Sequence, residues 1–165
     1  MLSFKFGQSI FRDIFTAMTN GEVNVALKHL ILNYIRKNHS GIDVVVGLDA
    51  RGFLFSFLIA SELGISCVPV RKKGKLPGEC LSVEYALEYG TDSFELQCGS
   101  IKKGQKVLLI DDLIATGGSL AAATKLITNA GGVVEVCLAI MELTALNGRA
   151  KIDAPVHSFI QYSDL

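Results

Sequence analysis

The sequence has no surplus of charge: sixteen Lys and Arg stand against sixteen Asp and Glu in 165 residues. A balanced chain has no global basic field to draw in nucleic acid or an anionic membrane, so recognition by charge must be local. The four cysteines, Cys67, Cys80, Cys98 and Cys137, form no C-x-x-C and no short pairing with His29, His39 or His157. Neither a zinc site nor a disulfide framework is indicated, and reduced thiols point to the cytoplasm. No apolar run reaches the ~18 residues of a spanning helix, and the N-terminus is a poor signal peptide. Internal repeats and low-complexity tracts are missing too. Half of the residues are apolar and 19% are charged, which suits a single domain around one sizeable core.

The two commonest phosphate loops are also missing. Without G-x-x-x-x-G-K-[ST] or G-x-G-x-x-G, a P-loop nucleotidase and a dinucleotide-binding fold are disfavoured. What is present is Val107 to Ser119, VLLIDDLIATGGS. Val107 to Ile110 follows the turn Lys103-Gly104-Gln105 and reads as a fully buried parallel strand. Asp111 and Asp112 stand at its end. Thr116-Gly117-Gly118 reads as a short loop, and Ser119 opens an Ala-rich helix that stops before Gly131-Gly132. Glycines let backbone N–H groups converge, and a helix start adds unpaired donors, so a phosphate dianion fits at residues 115–119. Carboxylates repel a second phosphate there but accept hydrogen bonds from vicinal hydroxyls, so a sugar bearing hydroxyls and a 5-phosphate spans both features. The alternative is a strand-end turn with solvated acids.

The order along the chain is strand alternating with helix. The spacing predicts helices over residues 22–38, with Val23, Leu27, Leu30, Ile31, Tyr34 and Ile35 on the buried face, and over residues 53–63. Strands are expected at residues 43–48, 66–70, 107–110, 133–141 and 157–162. The fold class is therefore α/β, a mostly parallel sheet flanked by helices, with any site beyond the strands' carboxyl ends. Asp49-Ala50-Arg51-Gly52 lies in one such loop, where arginine can grip a pyrophosphate through two oxygens or simply face solvent. Arg71-Lys72-Lys73-Gly74-Lys75 is a short cationic loop. Residues 81–97 read as a hairpin turning at Gly90-Thr91-Asp92. Residues 3–19, rich in phenylalanine without a clean period, read as a loop packed on the core, and residues 142–149 as a polar connection.

Val107 to Ser119 resembles the phosphoribosyl pyrophosphate motif of the type I phosphoribosyltransferases, and Leu113-Ile114-Ala115-Thr116-Gly117-Gly118 most resembles the adenine phosphoribosyltransferase family. Gly47 to Phe55 is similar to that family's pyrophosphate loop, Arg71 to Pro77 to its basic segment, Tyr85 to Gly90 to its lid, and Ile10 to Ile14 to the hood over adenine. Gly7-Gln8-Ser9 replaces the Pro-Gly that usually precedes the hood. The resemblance implies one domain over residues 1–165, with a hood at 1–19 and a flexible hairpin lid at 79–98. It implies transfer of 5-phosphoribose from phosphoribosyl pyrophosphate to adenine, giving AMP and diphosphate, with Mg2+ held mainly through the substrate.

Implied catalytic residues are Glu88, Arg51 and Tyr89. Implied substrate-binding residues are Asp111, Asp112, Ala115, Thr116, Gly117, Gly118 and Ser119, with Arg51, Arg71, Lys72 and Lys75 toward pyrophosphate and Arg12 near adenine. The resemblance further implies a cis peptide at Asp49–Ala50 and a homodimer in which Arg71 crosses the interface, with no nucleic-acid or membrane partner. A phosphoribosyltransferase for a 6-oxopurine or pyrimidine, or a non-catalytic phosphoribosyl-pyrophosphate regulator, remains the alternative.

Overall fold

The structure, a computed structural model, describes residues 3–6, 9–87 and 90–164, with only the backbone described at residues 3–6, 9–12, 86, 87 and 90. Nine strands and four α-helices are found among them: β1 (Ser3–Phe6), β2 (Ser9–Arg12), α1 (Ile14–Met18), α2 (Gly21–Asn38), β3 (Val44–Leu48), α3 (Gly52–Leu63), β4 (Ser66–Lys72), β5 (Cys80–Leu87), β6 (Gly90–Gln97), β7 (Lys106–Ile114), α4 (Gly118–Asn129), β8 (Val133–Leu143) and β9 (Val156–Tyr162). Two 3-10 turns, Thr144–Leu146 and Gly148–Lys151, connect β8 to β9.

Seven strands make one sheet in the order β5-β6-β4-β3-β7-β8-β9. The five from β4 to β9 in that order run parallel, and the β5–β6 hairpin adds antiparallel at the β4 edge. The expected α/β class is therefore found. Alternation along the central strands feeds two cores. Val44, Val46, Val107 and Leu109 point to the side of α4 and the hairpin. Val45, Leu108 and Ile110 point to α1, α2 and α3. Buried on both faces, such strands need apolar residues at every position, which is why β3 reads VVVGL without a period.

Several expectations are corrected. The stretch expected as a loop, residues 3–19, contains the β1–β2 hairpin and α1, which Asp13 caps by accepting from the Phe15 N–H at 2.9 Å. On α2 the buried residues are Ile31, Leu32 and Ile35, whereas Val23 and Leu30 are exposed. β4 continues through Arg71 and Lys72 because both pair with β6, so these cations sit in a strand rather than after it. β7 likewise continues past the acidic pair to Ile114, held by β8. Gly90, Thr91 and Asp92 belong to β6, opposite Leu87, Ala86 and Tyr85, so the three residues expected to form the turn are strand residues.

Candidate active site

Sheet order places the site. Numbered among the parallel strands alone, the order is 2-1-3-4-5, and the connections diverge between β3 and β7. A crevice opens beyond the strand ends at such a point. Arg51 arrives there from β3 and Asp112 from β7. Arg51 Nε donates to Asp112 Oδ2 at 2.5 Å, and the Asp112 side chain is only 4% exposed. Close packing of α3 on β7 brings them together: a Cβ on Gly52 would lie 2.6 Å from the Ile110 carbonyl oxygen, so only glycine lets the helix start so near the strand.

Asp111 is partly buried beside this pair, and its Oδ1 accepts from the Asp112 N–H at 2.9 Å. Burial first, and then the Asp112 carboxylate, push Asp111 from the ordinary 3.8 up to about 8. Arg51 also acts on Asp13, whose carboxyl is held below its ordinary value mainly by the Thr16 hydroxyl. Arg12 ends β2, and its side chain lies outside the described residues.

The Asp49–Ala50 peptide is cis, as the resemblance implied. Asp49 Oδ2 accepts from Arg71 Nε at 3.1 Å, while Arg71 Nη1 donates to the Lys75 carbonyl at 3.3 Å. The Arg71 guanidinium also lies 5.9 Å from the Phe53 ring centre. Lys72 turns to the hairpin, its Nζ 3.0 Å from Asp92 Oδ2. The Asp92 carboxyl is held below its usual range chiefly by this lysine, and it accepts from the Tyr85 hydroxyl at 3.3 Å. Burial raises the Tyr85 phenol to about 12, with Asp92 adding to the shift. Lys75 is exposed. Glu88 and Tyr89 lie outside the described residues.

Ala115, Thr116 and Gly117 form the loop after β7. Gly117, at φ 79°, is the residue before α4 and makes no side-chain cap, so no side chain satisfies the first N–H groups of the helix. Acidic pair, strand end and loop follow one another along the chain, with the pair inside β7 rather than at its end. Gly148, which the sequence suggested only as part of a connection, closes the far side: a Cβ at Gly117 would fall 2.0 Å from the Gly148 carbonyl oxygen. Asn147-Gly148, a turn-forming pair, was the one available signal.

The model for the phosphoribosyl transferase domain matches residues 19–162. A Drosophila pseudoobscura pseudoobscura adenine phosphoribosyltransferase is 56% identical over 153 residues, covering 93% of this chain and 84% of that protein.

The chain belongs to the adenine phosphoribosyltransferase family.

The Saccharomyces cerevisiae member, solved with an imino-altritol bisphosphate and adenine, superposes with a TM-score of 0.90 at 38% identity, over 95% of this chain and 93% of that one. The Trypanosoma brucei member, solved with AMP, pyrophosphate and ribose-5-phosphate, gives 0.85 at 27% identity, over 92% and 70%. Family membership agrees with the observed strand order, and the narrower resemblance to adenine-using members is borne out.

Proposed function

We propose that this chain transfers 5-phosphoribose from phosphoribosyl pyrophosphate to adenine, releasing AMP and diphosphate in purine salvage. The observation that carries this reading is the meeting of Arg51, Asp111 and Asp112 with the residue 115–119 loop at one crevice, in a chain 56% identical to an adenine phosphoribosyltransferase. N–H groups of Thr116 to Ser119 bind the 5-phosphate, with Ala115 setting the loop's entry. Asp111 and Asp112 accept from the ribose hydroxyls. Arg51, Arg71 and Lys75 face pyrophosphate, Lys72 reaches it only by leaving Asp92, and backbone groups near Arg12 read the base.

As adenine N9 forms its bond to C1′, the bond from C1′ to pyrophosphate oxygen breaks, through a state with oxocarbenium character. Arg51 and the basic segment stabilise the departing charge. Glu88 manages the adenine proton at N7, and Tyr89 closes with it over the sugar to exclude water. No cluster of three or more metal-ligating side chains occurs among the described residues. Mg2+ would be held mainly through substrate oxygens, with Asp111 and Asp112 as the carboxyl groups of the crevice that could meet it. Bound so, it would neutralise pyrophosphate charge.

A homodimer accords with α3 and β4. Leu54, Phe57 and Leu58 are exposed, Phe57 at 72%, and a recess lined by Phe53, Phe57, Cys67 and Pro69 continues toward Arg71. A second copy is the partner for this face. The four thiols are free, which suits a cytoplasmic setting.

AMP formation from adenine and phosphoribosyl pyrophosphate, with hypoxanthine, guanine and orotate as controls, tests the activity. Turnover of hypoxanthine or orotate in preference to adenine would replace it. For Arg71, an inactive Arg71→Ala chain mixed with an inactive Asp112→Ala chain should regain activity in heterodimers if arginine serves the neighbour's site.

A further inference from the structure

The connection from β8 to β9 has no part in the chemistry above, yet it lies against the phosphate loop. Glu142 stands near the end of β8, 1% exposed, paired with Ile114 of β7 on one side and Gln161 of β9 on the other. Ile114 is the last residue before Ala115. Arg149 Nε donates to Glu142 Oε1 at 2.8 Å, and Arg149 Nη2 donates to Oε2. Ser158 Oγ donates to the same Oε2 at 2.5 Å while accepting from Arg149 Nη2 at 3.3 Å and from Gln161 Nε2 at 3.1 Å. The carboxylate is thus met by a two-pronged guanidinium and a hydroxyl. Planar fork geometry fixes direction as well as distance, which an ammonium cannot do.

Arg149 directly follows Gly148, and Gly148 is where the connection meets the loop. A Cβ at Gly148 would lie 2.2 Å from the Ala115 carbonyl oxygen and 2.8 Å from the Gly117 nitrogen. Backbone therefore rests on backbone, with no side chain to absorb a displacement. We infer that Arg149, anchored by Glu142 and Ser158, is a positioning residue that holds Gly148 against Ala115 to Gly117 and so sets the loop that grips the 5-phosphate. This rests on the phosphoribosyl reading. Convergent N–H groups hold a phosphate through charge-assisted hydrogen bonds, and losing one of them weakens binding by about 10-fold to 100-fold.

Calorimetric affinities for AMP, phosphoribosyl pyrophosphate and inorganic pyrophosphate should be measured for the parent, Arg149→Lys, Arg149→Met, Glu142→Gln and Gly148→Ala, with folding followed by circular dichroism. AMP and phosphoribosyl pyrophosphate should weaken by about 10-fold to 100-fold in Arg149→Met and Gly148→Ala, and less in Arg149→Lys, while pyrophosphate alone is held as before. A role in folding alone would lower the active fraction for all three ligands and leave their dissociation constants untouched. If Arg149→Met does not fold, Arg149→Lys and Gly148→Ala decide the matter. Unaltered AMP affinity in any folded pair of these variants, or equal weakening of pyrophosphate, overturns the inference. A parent that binds neither AMP nor phosphoribosyl pyrophosphate removes the phosphoribosyl reading and the inference together. A parent that binds both, with variants that bind equally well, removes the inference alone.

Discussion

Arg51 and Asp112 neutralise one another across the crevice, Nε to Oδ2 at 2.5 Å. The first is proposed to grip pyrophosphate and the second to hold a ribose hydroxyl. Ligand must therefore compete with an internal ion pair. That competition has a measurable sign.

Asp112→Asn removes a charged acceptor from the sugar while releasing Arg51 toward anions. A hydrogen bond to a charged group contributes ~1.5–3 kcal/mol, so phosphoribosyl pyrophosphate should bind about 10-fold to 100-fold more weakly. Pyrophosphate alone should bind at least as tightly as in the parent. Calorimetry with both ligands checks this, and equal weakening of the two would remove Asp112 from the sugar site.

Asp111 gives a stability prediction. Its carboxyl titrates at about 8 in the fold against 3.8 ordinarily, pushed up by burial and then by Asp112, with Arg51 opposing. Between those values the unfolded chain has lost the proton that the folded chain keeps. Stability from this group is thus fully present below pH 3.8, falls as pH rises through the window toward 8, and is flat above. Asp111→Asn removes that slope and should gain on the parent as pH rises through the window. Urea midpoints at several pH values test it, and parallel profiles would show that Asp111 is not held protonated.

Much of this site was legible because strand, loop and helix follow each other within Val107 to Asn129, where buried runs, paired acids and glycines each have a local cause. Contacts between distant segments were not legible. Arg71 and Lys72 became strand residues only because Glu95 and Phe94 pair with them, a tertiary effect that overrides local preference. The four-residue strands β1 and β2 are too short to show a period. Leu30 fits the apolar spacing of α2 but opens onto a recess with Ile14, Val23 and Ile160 rather than the core. Glu142 read as the start of a polar connection, because its partners Arg149 and Ser158 are 7 and 16 residues away.

The exposed face of α3 predicts assembly. Phe57 is 72% exposed beside Leu54 and Leu58. If this face meets a second copy, Phe57→Glu places a charge in an apolar interface, where a central anchor contributes about 2 kcal/mol or more. Sedimentation should then show the parent as a dimer and the variant shifted to monomer, with circular dichroism unchanged. A parent that is monomeric, or a variant that stays dimeric, assigns the face another role.

The last prediction concerns the hairpin of β5 and β6, whose strands pair up to Leu87 and Gly90. Glu88, between them in sequence, is proposed to manage the adenine proton. Glu88→Gln keeps size and most hydrogen bonding but cannot take up a proton. If proton transfer belongs to Glu88, turnover should fall by roughly 10²–10⁴-fold while the dissociation constant of phosphoribosyl pyrophosphate barely moves. A residue that merely hydrogen-bonds the sugar would instead weaken binding and turnover modestly and together. Glu84 is the internal control: it is exposed on β5, opposite Ser93. Single-turnover rates are required, because lid opening or product release can limit steady-state turnover and mask a slower chemical step. Small and equal losses in Glu84→Gln and Glu88→Gln under those conditions would exclude Glu88 from proton transfer and leave the hairpin only the task of keeping water from the sugar.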